Sequence, residues 1–321
     1  MPSNPSIIDV SEWELIKDET VGASAKSWVR EPSVAETPQS AWLFKPVVVH
    51  ADGSVQGGDW AEHLAAEVAG VLGVPTAEIR MGEREGEFGT LSRNVRVDER
   101  TDCYPGSLWL DADPDVTYRA TNSRSSRRSN ASAGYSLDAI ATSLRKIGAP
   151  PQAIGGFELL DGLDNFCTFL ALDAAIGNRD RHEQNWSVLR PILAGEPVAL
   201  AAAYDNESSF GYNLTDEGRA RILTASDGIE GFARNGTAWR FDWGTDPVPD
   251  LVETAVIGLS MASRAAASLM RERIEEFDVD VVREAVEITP RMSEVARKFS
   301  INLLTTNIER LRDVLRDYDA R

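Results

Sequence analysis

Gly177-Asn178-Arg179-Asp180-Arg181-His182-Glu183-Gln184-Asn185-Trp186 is the stretch on which the rest of the chain turns. Between Asp180 and Asn185 it gathers a carboxylate, an imidazole and an amide. An apolar run, Phe166 to Ile176, leads into it, and Trp186-Ser187-Val188-Leu189 leads out. Twenty residues after Asn185 a second acid closes another apolar run, Val198-Ala199-Leu200-Ala201-Ala202-Ala203-Tyr204-Asp205.

Phosphoryl-transfer loops place an aspartate and a metal-binding asparagine five residues apart, with a second aspartate on a later strand end. Asp180, Asn185 and Asp205 fit that layout. One carboxylate orients the nucleophilic hydroxyl, and two oxygen ligands hold the magnesium that neutralises developing phosphate charge. A bare spacing of this kind is common among ordinary loop residues. The flanking apolar runs and the second acid-terminated strand lift it above that background.

Composition narrows the field. The chain has 321 residues, 42% of them hydrophobic, with eight tryptophans, enough for a sizeable core in one large or two smaller domains. Fifty-one acids against 33 bases give a net charge of −18, which argues against nucleic-acid or anionic-membrane binding, since both need basic surface. Cys103 and Cys167 have no metal-site spacing and form no disulfide framework; Cys167 reads as a small buried hydrophobe. The polar N-terminus carries no leader pattern and no window approaches 18 apolar residues, so a cytoplasmic protein without a membrane span is expected.

Residues 7 to 110 read as short β runs, with Ala41 to Val49 and Phe88 to Val95 the clearest strands. Between them Trp60, Leu64, Val68, Val71 and Leu72 mark one helix, stopped by Gly73 and Pro75. Residues 111 to 134 are polar and include the basic Ser123-Arg124-Ser125-Ser126-Arg127-Arg128-Ser129, read as a solvated linker. Helical patterns follow over Leu137 to Ile147, Phe157 to Ile176, Leu251 to Glu276, Val279 to Val286 and Ser293 to Tyr318. The last carries Leu304, Ile308, Leu311 and Leu315 on a face that should meet the core, since too few heptads are sustained for a coiled coil.

The expected architecture is α+β and two-lobed: a β-rich N-lobe over 1–115, a flexible linker over 116–134 and a mostly helical C-lobe over 135–321. Lys45 sits inside an apolar strand and cannot face the core unpaired, so it either reaches water at a strand end or enters a cleft. Kinases use a strand lysine there to hold nucleotide phosphates, backed by a helix glutamate. Periodicity favours Glu67 as that partner, because Glu62 falls nearly opposite the apolar face.

The quoted loop resembles the catalytic loop of the HipA-like kinases and of the phosphatidylinositol 3- and 4-kinases, and Tyr204-Asp205-Asn206 is similar to their metal-binding motif. The resemblance implies a protein-kinase-like fold, with Asp180 catalytic and Asn185 and Asp205 holding Mg2+ beside ATP. Phe44-Lys45-Pro46 resembles the family's lysine strand, and the run from Glu62 to Pro75 favours Glu62 as its partner. Gly22-Ala23-Ser24-Ala25-Lys26-Ser27 lacks Walker spacing, but its place upstream of Lys45 is similar to the family's phosphate-covering loop. Gly22, Ser24 and Lys26 are therefore expected at the nucleotide, with self-phosphorylation at Ser24 or Ser27. His182 is expected to brace the loop rather than move a proton.

A serine/threonine kinase acting on protein is the leading expectation, ahead of a phosphatidylinositol or small-molecule kinase and of a non-catalytic nucleotide-binding regulator. Longer HipA toxins carry an extra subdomain before the phosphate loop, whereas about twenty residues precede Gly22 here. Toxin role, antitoxin-type partner, acceptor and oligomeric state are left open.

Overall fold

The computed structural model describes residues 6–19, 26–32, 34–119, 132–244 and 246–319. Gly22, Ser24 and the basic run from Ser123 to Ser129 lie outside them. The first sheet is built from β1 (Ile8–Asp9), β2 (Glu14–Glu19), β3 (Lys26–Arg30) and β4 (Ala41–Pro46). After α1 (Gly58–Leu72), β5 (Ile79–Arg84) and β6 (Glu87–Arg93) complete it. Its order is β1-β5-β6-β4-β3-β2, antiparallel except for the β1–β5 pair.

Strand alternation explains how Lys45 is placed. Trp42 and Phe44 point into a small cluster with Val10, Val29 and Leu91 on one face of the sheet, which sends Lys45 to the other. Gly89 makes room for this: a Cβ there would lie 2.1 Å from the carbonyl oxygen of Lys45. Pro46 ends β4, where its missing N–H costs the ladder nothing.

α1 packs on β5 and β6 on one side and on α4 (Gly162–Ile176) and α9 (Val279–Ile288) on the other. Its first two turns, Gly58 to Ala65, are therefore buried all round. A single apolar stripe predicts one buried face, whereas two lobes cover this helix from both sides. Glu62, which periodicity puts opposite the stripe, ends up inside the protein.

The second part begins with β7 (Thr101–Pro105), α2 (Gly106–Ala112) and α3 (Leu137–Leu144). β7 pairs with β8 (Ser187–Pro191), which pairs with β9 (Ala199–Leu200) in a three-stranded sheet. Residues 101–105, grouped by composition with the first lobe, are thus hydrogen-bonded into the second sheet. The expected linker has anchored ends: Tyr118 and Ser132 are buried, and Arg119 N–H donates to the Ala133 carbonyl at 3.2 Å.

α5 (Asp216–Thr224), α6 (Gly228–Arg234), α7 (Leu251–Met261) and α8 (Arg264–Glu275) precede α9, and α10 (Glu294–Asp319) closes the chain. α4 is buried over its whole length and is the axis on which α7, α8 and α10 pack. Two expected helices are broken by caps. Phe157 to Ile176 divides into a short 3-10 turn and α4, because the Asp161 side chain accepts from Asp164 N–H and starts a new helix. Leu251 to Glu276 divides where Ala262 is extended and Ser263 caps α8. Leu304, Ile308, Leu311 and Leu315 of α10 face the core, and Cys167 is buried. Among the described residues no helix is long and apolar enough to cross a membrane.

Candidate active site

α4 stops at Gly177 with φ 71°, and the loop that follows is held by its own polar groups. Asn178 donates to Asp173 Oδ1 at 2.8 Å and accepts from the Asp180 N–H at 3.0 Å. Asn185 Nδ2 donates to the Asp180 carbonyl at 2.8 Å, so the two ends of the Asp180–Asn185 turn are tied together. His182 accepts from Gln184 N–H at Nδ1, 3.1 Å, and its carbonyl accepts from Asn185 N–H at 2.9 Å. Burial pushes its pKa down, against the pull of Asp180. This is the bracing role expected of it.

Arg181 turns away from the cleft and joins the loop to the segment carrying Asp205. Its guanidinium holds both Asp173 oxygens at 2.9 and 2.7 Å and donates to Asn206 Oδ1 at 2.6 Å. It also reaches the carbonyls of Asn185 at 2.8 Å and Tyr204 at 3.3 Å. Its donors thus meet oxygens on both segments, most of them buried, and tie the two loops together. The far end is equally constrained. Trp186 Nε1 donates to Tyr135 Oη at 3.0 Å, which donates to the Arg181 carbonyl at 3.0 Å. Gly106 admits the Trp186 ring, since a Cβ there would lie 2.2 Å from Cε2. Glu183 accepts from Tyr118 at 3.2 Å and from Ser132.

Lys45 meets this assembly from the first lobe. Its Nζ lies 2.5 Å from Asp205 Oδ1 and 3.0 Å from Glu207 Oε2. Burial alone would lower the lysine pKa, but Asp205, then Glu207 and Glu62, raise it. Asp205 is pushed up by burial and pulled down more strongly by Lys45 and Lys26, settling at about 2. Its φ of 58° is a left-handed conformation that aspartate tolerates better than most residues. The lobes are joined just upstream, where Ala77 N–H donates to the Ala203 carbonyl at 2.8 Å and Ala203 N–H to the Pro75 carbonyl at 2.9 Å.

Glu62 is the helix carboxylate near Lys45. Its Oε1 accepts from Asn206 N–H at 2.9 Å, while Oε2 is buried without a hydrogen-bond partner. Burial pushes its pKa up to about 7, with Lys45 opposing and Asp205 and Glu207 adding to the rise. Glu67 instead approaches His63 at 4.0 Å and lines a separate groove with Val71 and Arg93. Lys26 opens β3, opposite Glu19 of β2, close enough for its charge to act on Asp205.

Two residues escaped the sequence reading. Glu207 gives Lys45 its second carboxylate; an acid two residues after Asp205 was the available signal. Arg240 forms an ion pair with Asp180 Oδ1, and nothing in the sequence around it announced this. The carboxylate oxygens of Glu62, Asp205 and Glu207 lie within 4.8 Å of one another. Such oxygen donors, one of them buried and unpartnered, suit a hard divalent cation such as Mg2+.

Residues 19–285 match the model of a family described as HipA-like C-terminal domain. A search of curated proteins finds no match. Among solved structures, a Helicobacter pylori proinflammatory kinase, CtkA, superposes with a TM-score of 0.68 at 15% identity, over 98% of this chain and 99% of that one. HipA of Shewanella oneidensis MR-1, solved with HipB and operator DNA, gives a TM-score of 0.53 at 13% identity, over 94% of this chain and 68% of that one. At such identities the likeness is one of fold, and the fold is a kinase fold.

Proposed function

The chain belongs to the HipA-like C-terminal domain family, and on that premise we propose that it is an ATP- and Mg2+-dependent phosphotransferase acting on serine or threonine hydroxyls of protein, itself included. The observation that carries this reading is the convergence of Lys45 from the first sheet with Asp205 and the Asp180 loop from the second part. Lys45 would hold the nucleotide phosphates once they replace its carboxylate partners. Asp180 would receive the acceptor hydroxyl and orient it. Asn185 and Asp205 would hold Mg2+, with Glu207 within reach of the same ion. When bound, the metal would neutralise charge on the phosphates. Lys26, Gly22 and Ser24 would cover them.

Phosphoryl transfer through a loose transition state asks for positioning and positive charge more than for covalent chemistry. The braced loop, the buried lysine and the cluster of oxygen donors fit that demand. An antitoxin-type partner is proposed only as a protein to be tested, since HipB accompanies the Shewanella HipA.

The test incubates pure protein with labelled ATP and Mg2+, alone, with a basic protein mixture and with phosphatidylinositol vesicles. Label on protein, absent from the Asp180→Ala variant, is the expected result. Label on lipid alone would move the acceptor to a lipid and leave the site roles standing. No transfer to any acceptor, with Mg-ATP bound, would leave a nucleotide-binding regulator and end the kinase reading.

A further inference from the structure

We propose that Arg240 is a positioning residue for the transfer step. It holds one oxygen of the Asp180 carboxylate so that the other is presented to the acceptor hydroxyl. This rests on the kinase reading above.

Both Nε and Nη2 of Arg240 engage the same oxygen, Asp180 Oδ1. Asp180 Oδ2 lies 4.0 Å from His182 Nε2, beyond hydrogen-bond range. The backbone on either side of Asp180 is pinned by Asn178 and Asn185, so the remaining freedom is rotation of the carboxylate. Arg240 removes it. Oδ2 is left as the acceptor-facing oxygen.

The guanidinium is itself preorganised. It lies 4.0 Å over the Trp239 ring. The segment bearing both is tied down by Ala238 N–H to the Pro249 carbonyl at 3.0 Å and by Leu251 N–H to the Gly236 carbonyl at 2.9 Å. Phe241 stacks on Tyr135 at 5.0 Å and 10°, and Asp242 N–H donates to the Tyr135 carbonyl at 2.7 Å. Tyr135 is the residue whose hydroxyl donates to the Arg181 carbonyl. The catalytic loop and the Arg240 segment therefore share one aromatic anchor and keep one spacing.

Stability does not account for this construction. Asp180 and Arg240 side chains are each 26% exposed, and ion pairs that wet contribute about 0–1 kcal/mol. Orientation does account for it, because small misplacement of a reacting group costs about a hundredfold in rate. A planar fork on an aromatic ring fixes direction in a way that a lysine ammonium cannot.

The experiment compares transfer by wild type, Arg240→Ala and Arg240→Lys. The expected loss is about tenfold to hundredfold in kcat for Arg240→Ala, with KM for ATP within about twofold, because Lys45 and Asp205 hold the nucleotide. Arg240→Lys, and free guanidinium added to Arg240→Ala, should each recover part of the rate. In an Asp180→Ala background, Arg240→Ala should cost nothing further, as expected for residues acting as one unit. An additive loss there, an unchanged rate, or a rate above wild type would overturn the proposal; the last would make Arg240 a block. A structure of Arg240→Ala needs no acceptor and decides independently: the carboxylate should leave its wild-type rotamer, and an unmoved one overturns the idea even if the kinase reading has failed.

Discussion

Lys45 Nζ lies 2.5 Å from Asp205 Oδ1, although 160 residues separate the two in the chain. The contact joins the first sheet to the loop after β9 and fixes where an ammonium and a metal-competent carboxylate meet. Glu62 and Glu207 complete the surroundings of that ammonium.

Removing the lysine should therefore damage more than nucleotide binding. Lys45→Met leaves buried Glu62 beside Asp205 and Glu207 without its counter-charge. Uncompensated buried charge costs about 3–5 kcal/mol, and the partial exposure of Asp205 and Glu207 should keep the loss at or below the low end of that range. Chemical denaturation in metal-free buffer measures it. Lys45→Met combined with Glu207→Gln should recover part of the loss; no recovery would mean the carboxylates do not depend on Lys45.

Asp205→Asn should weaken Mg-ATP binding about tenfold or more, and Asp180→Ala should leave it near wild type. Asparagine tolerates the left-handed backbone of position 205, so the exchange tests charge rather than conformation. Calorimetry of Mg-ATP binding reads both variants. Equal affinities would remove Asp205 from the metal.

Asp180→Ala should reduce transfer by at least about a hundredfold while the fold and nucleotide affinity persist, as for loss of a general base or orienting group. Phosphoprotein formation per unit time is the readout. Near wild-type turnover would take the central role away from this residue.

Glu62 makes stability depend on pH. Its folded pKa, about 7, lies above its ordinary value of 4.5, so folding favours the protonated form. The stability tied to that proton is complete below about 4.5 and is lost as pH rises through 7. In EDTA, Glu62→Gln should melt above wild type at pH 8 and match it near pH 4.5. A constant difference across that range would place the effect elsewhere.

Arg181→Leu should be the most disruptive single change in the loop from Asn178 to Asn185. It strands the Asp173 carboxylate, 4% exposed, and frees the carbonyls of Asn185 and Tyr204. The cost is about 3–5 kcal/mol. Adding Asp173→Leu removes the stranded charge and should restore part of the melting temperature, which thermal unfolding can follow.

Much of this site was legible before any coordinates. Asp180 and Asn185 sit in one local turn, and short-range spacing is the kind of information a sequence carries directly. Lys45 declared itself because a charge inside an apolar strand must find a partner. Glu62 was misjudged by periodicity, since α1 is covered on two sides and has no outward face in its first turns. The ion pairs of Lys45 go to Asp205 and Glu207, and Glu62 acts on it through charge.

Arg240 and Glu207 show where that reading stops. Arg240 lies 60 residues from Asp180, in a segment with no motif, and reaches it from a backbone held by Phe241 stacking on Tyr135 and by Asp242 N–H on the Tyr135 carbonyl. By itself the sequence determined the two-lobed fold class and marked the Asp180–Asn185 turn and the acid-terminated run to Asp205 as candidates, because local spacing and hydropathy encode backbone state and burial. Tertiary structure alone decided which cation faces which carboxylate. Those pairings depend on the docking of α1, the Asp205 loop and the Arg240 segment across a common core, and no local pattern in the chain carries that geometry.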